Sequence, residues 1–247
     1  MQKYKILLSL FLTIFLSACD GSKDANTWIV GTSADNPPYE YMQDGKIVGF
    51  DIDLMKAIGQ HLEKKIEFKN MEFHGLLAAL GSQNVDMAIA GMSVTPERLI
   101  RVQFSLPYTD ANIAVLYRGE DKLNSPNDLT SLVMGAQLGT IWSLIAQDMS
   151  LKHNFKISTL ANNLMLVQEL KNKRVDAVIM EESQAKKFTE KDSKLASFAA
   201  NQYGSSFAIA MPKKSEHKEN IDRAIKALRN NGTIKALSKK WRIVGAE

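Results

Sequence analysis

Arg98 follows Thr95, Pro96 and Glu97 in a run whose residue types could bind an anion. A hydroxyl N-cap, a proline at the first helical position and an acid in the first turn predict a helix starting at 96. Its first turn then carries a guanidinium fork beside backbone N–H groups that have no partner within the helix, a combination suited to a carboxylate. Ser93 adds a hydroxyl and an N–H from the preceding loop, and Gly91 offers a carbonyl that no side chain obstructs. Thr140, directly after Gly139, predicts a second helix N-terminus with the same capacity. Glu181 and Glu182 end the apolar run 175–180, at the kind of sheet edge where α/β proteins place ligands. Glu181 is the candidate acceptor for a cation, and Glu182 is the candidate first-turn helix acid. Taken singly, these features also describe an ordinary surface arginine and ordinary helix caps.

The elements that must position them alternate short apolar runs with helical stretches, which predicts α/β layers with largely parallel strands. Strands are expected over 28–31, 66–68 and 85–90, and helices over 50–62 and 73–80. After the apolar run 111–117 the scheme repeats, with strands over 132–137, 155–160 and 175–180 and helices over 142–149, 164–170 and 183–188. The run 207–211 precedes two closing helices, striped by Ile221, Ala224, Ile225 and Leu228 and by Ile234, Leu237 and Trp241. About 220 globular residues exceed the usual single-domain size, so two lobes are expected.

Thirty-one basic and 27 acidic residues leave a net charge of +4, and the two signs interleave along the chain. That is no nucleic-acid signature. The histidines, His61, His74, His153 and His217, lack metal-ligand spacing, so neither a metal nor a cofactor is expected. His74 alone falls near the candidate site and reads as a loop or surface residue. Lys3 and Lys5 precede an apolar run over 6–16 of signal-peptide length. Leu16-Ser17-Ala18-Cys19, with the one cysteine of the chain, resembles the lipobox of bacterial lipoproteins. That resemblance implies removal of residues 1–18, lipidation of Cys19, a tether over 19–26, and work outside the cytoplasm on a membrane. Asp20 resembles the inner-membrane retention signal of enteric bacteria.

Seven motifs appear in one order along the mature chain: Gly31-Thr32, Pro37-Pro38-Tyr39-Glu40, the run from Gly49 to Leu54, the run from Ala90 to Arg98, the run from Phe104 to Tyr108, Gly139-Thr140 and Val175-Asp176-Ala177. In order and spacing the chain resembles the polar amino-acid-binding proteins that serve ABC importers. The resemblance implies a periplasmic binding protein-like fold of two α/β lobes joined by a two-strand hinge. Lobe 1 is expected over 27–113 and 208–247, hinge strand and lobe 2 over 114–207, and the crossing strands near 114–118 and 205–210. It further implies a monomer that captures a free L-amino acid for an ABC permease and performs no catalysis.

By the same resemblance, Arg98 clamps the ligand carboxylate with Ala90, Gly91, Met92, Ser93 and Thr140 around it. Glu181 accepts the ammonium where the family usually has aspartate. Phe73 lies on the ligand side chain, whereas Asn36 replaces the tyrosine that commonly faces it, and Ser33 stands where some basic-ligand binders carry aspartate. The acid for a cationic side chain must then come from Asp35, Glu40 or Asp110; Gln137 and Trp142 are further lining candidates. Arginine is preferred over glutamine, histidine or lysine. The alternative is an enzyme resembling cyclohexadienyl or arogenate dehydratases, with Glu181 as general acid.

Overall fold

The computed structural model describes residues 26–244; the leader, Cys19 and nearly all of the tether lie outside them. In chain order the elements are β1 (Thr27–Thr32), β2 (Asp35–Asn36), β3 (Glu40–Gln43), β4 (Lys46–Val48), α1 (Phe50–His61), β5 (Lys65–Asn70), α2 (Leu76–Gly81), β6 (Met87–Ala88), α3 (Pro96–Arg101) and β7 (Val102–Phe104). There follow β8 (Thr109–Arg118), β9 (Val133–Gln137), α4 (Ile141–His153), β10 (Lys156–Leu160), α5 (Asn163–Lys171), β11 (Ala177–Glu181), α6 (Glu182–Lys191), β12 (Leu195–Phe207), β13 (Ala210–Pro212), α7 (Lys218–Asn230) and α8 (Thr233–Trp241).

Two five-stranded sheets result, ordered β5-β1-β6-β13-β7 and β10-β9-β11-β8-β12. In the first, β1 runs parallel to β5 and β6; in the second, β9 runs parallel to β10 and β11. β13 pairs antiparallel with β6 and β7, and β8 antiparallel with β11 and β12, so the sheets are mixed where largely parallel strands were expected. Helix stripes read from the sequence are the buried ones: α1 buries Leu54, Met55 and Ile58, and α7 buries Ile221, Ala224, Ile225 and Leu228. Each sheet with its covering helices is one lobe of a two-lobed α/β fold. Among the described residues, no helix is long and apolar enough to cross a membrane.

Three further, local differences from the sequence reading have identifiable causes. The expected helix over 73–80 is a 3₁₀ turn at Phe73–Gly75 followed by α2. An antiparallel ribbon, β2-β3-β4, went unread, although Asp44-Gly45 at its tip, with φ of 50° and 73°, is the dipeptide that a tight hairpin favours. The first crossing also differs. Residues 114–118 lie in the middle of the second sheet, with Ala114 opposite Met180 and Tyr117 opposite Ala177. The sheet switch comes earlier, between Phe104 and Thr109, where Ser105 N donates to Ile209 O (2.9 Å) and Tyr108 N to Phe207 O (2.9 Å). Those bonds place the two crossings side by side. Phe207 packs there against Tyr39 (centroids 5.2 Å) and Trp142 (6.5 Å), one from each lobe.

Candidate functional site

Arg98 reaches its position through its own helix start. Thr95 caps α3 by accepting from Arg98 N at 3.3 Å, with Pro96 in the first turn. The guanidinium is 8% exposed; Nη1 donates to Ser93 O (2.6 Å), Nη2 donates to Gly139 O (2.9 Å), and Cζ lies 5.4 Å from the Phe73 ring centroid. Burial pulls its pKa down to about 10 against the opposing charge of Glu97. Among the described residues no carboxylate forms an ion pair with it. A buried cation satisfied by carbonyls alone is a strong attractor for an anion.

Gly139 lies on the opposite lobe, so the Arg98 bond crosses the cleft. At φ +81°, a Cβ on Gly139 would sit 3.0 Å from His74 Cβ, which explains why glycine occupies this close approach. Thr140 caps α4 through Ser143 N (3.3 Å) and donates its hydroxyl proton to Gln137 O (2.7 Å). Asp35 is the second crossing point: its Oδ2 accepts from Gln137 Nε2 (3.0 Å) and from Asn163 N at the start of α5 (2.7 Å). Its pKa rises to about 6, mainly because burial opposes ionisation while these donors favour it.

Between these bridges lies a cavity of about 10 Å³, roughly the space of one water. Asn36, Phe73, Ala90, Gly91, Ser93, Arg98, Gln137 and Thr140, all put forward from the sequence, line it. Trp142, Asp35 and Glu40, raised there as candidates, also line it. Asp110 does not; it is exposed on β8 opposite Ser206. Ser33 is buried behind Asp35, to which its hydroxyl donates at 3.2 Å, and Met92 is in the apolar core, its carbonyl accepting from Ala208 N. Glu181 sits just behind the wall, capping α6 by accepting from Gln184 N (3.0 Å) and Ser183 Oγ (3.2 Å). Burial lifts its pKa to about 8. Glu182 opens α6 and accepts from Asn112 Nδ2.

The sequence reading missed Ile141, Asn163, Gln184 and Phe207, which also line the cavity. For Asn163 a signal existed: Asn162 caps α5 through Leu164 N and Met165 N, making a third helix N-terminus at the cleft. Gln184 and Phe207 carry no such local mark. Among the described residues no cluster of three or more His, Cys, Asp or Glu could hold a metal ion. The site therefore brings a guanidinium and helix N-termini together with the carboxyls of Asp35 and Glu40.

Comparison with known proteins agrees with that geometry. Residues 28–244 match the family model of bacterial extracellular solute-binding proteins, family 3. The arginine-binding extracellular protein ArtP of Bacillus subtilis is 35% identical over 252 residues, covering 98% of this chain and 98% of the relative. A solved ancestral arginine-binding protein bound to arginine superposes with a TM-score of 0.83 at 36% identity, covering 87% of this chain and 98% of that one. The arginine-, lysine-, histidine-binding protein ArtJ of Geobacillus stearothermophilus gives a TM-score of 0.81 at 32% identity, covering 87% and 94%. A match over almost the whole described chain, on a fold with the same two lobes, shows that this chain belongs to the bacterial extracellular solute-binding proteins, family 3.

Proposed function

We propose that the protein captures a free L-amino acid with a cationic side chain, arginine before the others, between its two lobes and hands it to an ABC permease. The observation that carries this reading is Arg98: a buried guanidinium at a helix N-terminus, on a cleft wall, held by carbonyls in place of a carboxylate. The ligand carboxylate supplies the missing counter-charge, assisted by Ser93 and by the N-terminus of α4 at Thr140. Glu181 is the partner for the ammonium and turns out of its α6 cap to reach it. Asp35 and Glu40 line the same cavity as Arg98 and suit a cation at the far end of the side chain. Each charge-assisted bond contributes about 1.5–3 kcal/mol, so a few reach the roughly 8 kcal/mol of micromolar affinity.

A cavity of about 10 Å³ is far smaller than any amino acid, so entry requires the lobes to part. The bonds from Asp35 and from Arg98 to Gly139 then break, and bonds to the ligand take their place as it stabilises a closed arrangement around itself over the open one. The hinge lies at the paired crossings, 104–109 and 207–210. The dehydratase alternative is not favoured, because the relatives compared are named as binding proteins. Membership of an extracellular family makes the protein extracytoplasmic; the lipid anchor at Cys19, the tether and a monomeric state belong to this proposal.

Thermal-shift screening of residues 19–247 against the common amino acids tests the reading, because a ligand bound only by the folded form raises its melting temperature. Arginine and lysine are expected to give the largest shifts. No shift with any amino acid at millimolar concentration contradicts it. Mass spectrometry of the native N-terminal peptide tests the anchor: an acylated Cys19 is expected, and an unmodified one removes that element.

A further inference from the structure

We propose that Glu40 selects the cationic side chain by surrendering a proton as the cation enters, so that binding of arginine or lysine, unlike binding of a neutral amino acid, is coupled to release of a proton from the Glu40–Asp51 pair. This rests on the amino-acid-binding reading above and adds to it a named selectivity residue and an exchange of charge.

The burial of these two carboxyls calls for a proton on one of them. Glu40, at the start of β3, is fully buried yet borders the cavity, and Asp51, in the first turn of α1, is fully buried beneath it. Asp51 Oδ2 already accepts from Gly91 N (2.8 Å) and from Tyr108 Oη (2.8 Å). Glu40 Oε1 accepts from Asn36 Nδ2 (3.0 Å). The other oxygen of each, Glu40 Oε2 and Asp51 Oδ1, is buried and has no hydrogen-bond partner among the described residues. Two fully buried carboxyls that influence one another, with no cation paired to either among the described residues, are stable together only when one of them keeps its proton. Asp51, with two donors of its own, is the ionised member, so the proton belongs to Glu40. Burial and the Asp51 charge push Glu40 well above the carboxylate range, whereas Asp51 rises only to about 6.

The charged and titratable groups around Glu40 all act in one direction before ligand arrives. Asp51 on α1 and Asp35 on β2 oppose its ionisation, Tyr108 spends its proton on Asp51, and Arg98 across the cavity is shielded by its own carbonyl partners. A guanidinium or ammonium entering beside Glu40 reverses the balance. The carboxyl O–H bond breaks, the proton leaves to solvent, and an ion pair forms, so the cavity gains one positive charge and loses another. Asp51 keeps its hold on Gly91 N, and the Ala90–Gly91 loop stays in place. A neutral side chain leaves the proton on Glu40, which then serves as a donor.

Titration calorimetry of the whole mature chain tests this, in buffers of different protonation enthalpy, with arginine and with citrulline and glutamine as neutral comparators. Any proton that the ligand ammonium draws from Glu181 is common to all three and cancels. Arginine is expected to release about one proton more than either comparator at pH 7.5. Its affinity relative to citrulline should rise about tenfold from pH 6 to pH 7. In Glu40→Gln the extra proton and the pH slope should both disappear. Equal proton release by arginine and the comparators, or an extra proton that persists in Glu40→Gln, overturns the proposal while leaving amino-acid binding intact. Should Glu40→Gln fail to fold, the wild-type titrations decide alone; should only arginine bind, an unchanged proton count in Glu40→Gln decides. Absence of binding by any of these ligands, lysine and histidine included, overturns the binding reading itself.

Discussion

Glu181 is an acid held where acids are least comfortable. It keeps its proton up to about 8 in the folded protein, against 4.5 for an ordinary glutamate, because burial outweighs its bonds to Gln184 and Ser183. Between those two values the folded state binds more protons than the unfolded one, so stability falls as pH rises. Glu181→Gln keeps an oxygen for the α6 cap and removes the ionisation. It should melt near wild type at pH 5 and above it at pH 8.5; an unchanged pH slope would show that Glu181 is not the strained group. Arg98, Ser93 and Thr140 were legible in the sequence because a cap, a proline and a first-turn residue are neighbours along the chain. Asp35 was legible only as one of several acids. Its partners Gln137 and Asn163 lie more than a hundred residues away, and nothing local fixes which acid the closed cleft will choose.

Helix starts are the elements on which the site depends, and glycine sets the approach of one of them. Gly139 at φ +81° precedes α4, faces His74 and offers its carbonyl to Arg98. Gly139→Ala should lower stability by about 1–2 kcal/mol from the left-handed backbone alone. The added methyl meets His74 only when the lobes are closed, so affinity should fall as well. Chemical denaturation and calorimetry on the same variant separate the two effects, and stability loss with unaltered affinity would mean that the His74 approach is not part of the ligand-binding conformation. Periodicity gave the helices and most strands, since their stripes are the buried faces. It did not say which sheet the apolar run near 114–118 joins. An apolar strand buried on both faces looks alike at a hinge and in the middle of a sheet, and only its pairing with β11 and β12 decides.

For the molecule as a whole, closure draws on bonds that run directly from lobe to lobe. Asp35 joins β2 to both Gln137 and Asn163, and Arg98 joins α3 to Gly139. Removing the Asp35 carboxylate deletes two charge-assisted bonds present only in the closed arrangement, each contributing about 1.5–3 kcal/mol. Asp35→Ala should therefore raise the radius of gyration of the ligand-free protein in small-angle scattering; a profile identical to wild type would show that these contacts do not set the lobe equilibrium. The fold class and the order of elements were readable because each lobe repeats a strand–helix alternation. The closed cavity was not, being built where loops from distant parts of the chain meet.

The central claim is that one buried guanidinium receives the carboxylate of an amino acid, and side-by-side calorimetry of wild type and Arg98→Ala with L-arginine tests it most directly. Wild type is expected to bind at micromolar affinity or tighter, and Arg98→Ala, folded by circular dichroism, to lose at least about 3 kcal/mol, beyond a hundredfold. Arg98→Ala binding arginine within twofold of wild type would contradict the account.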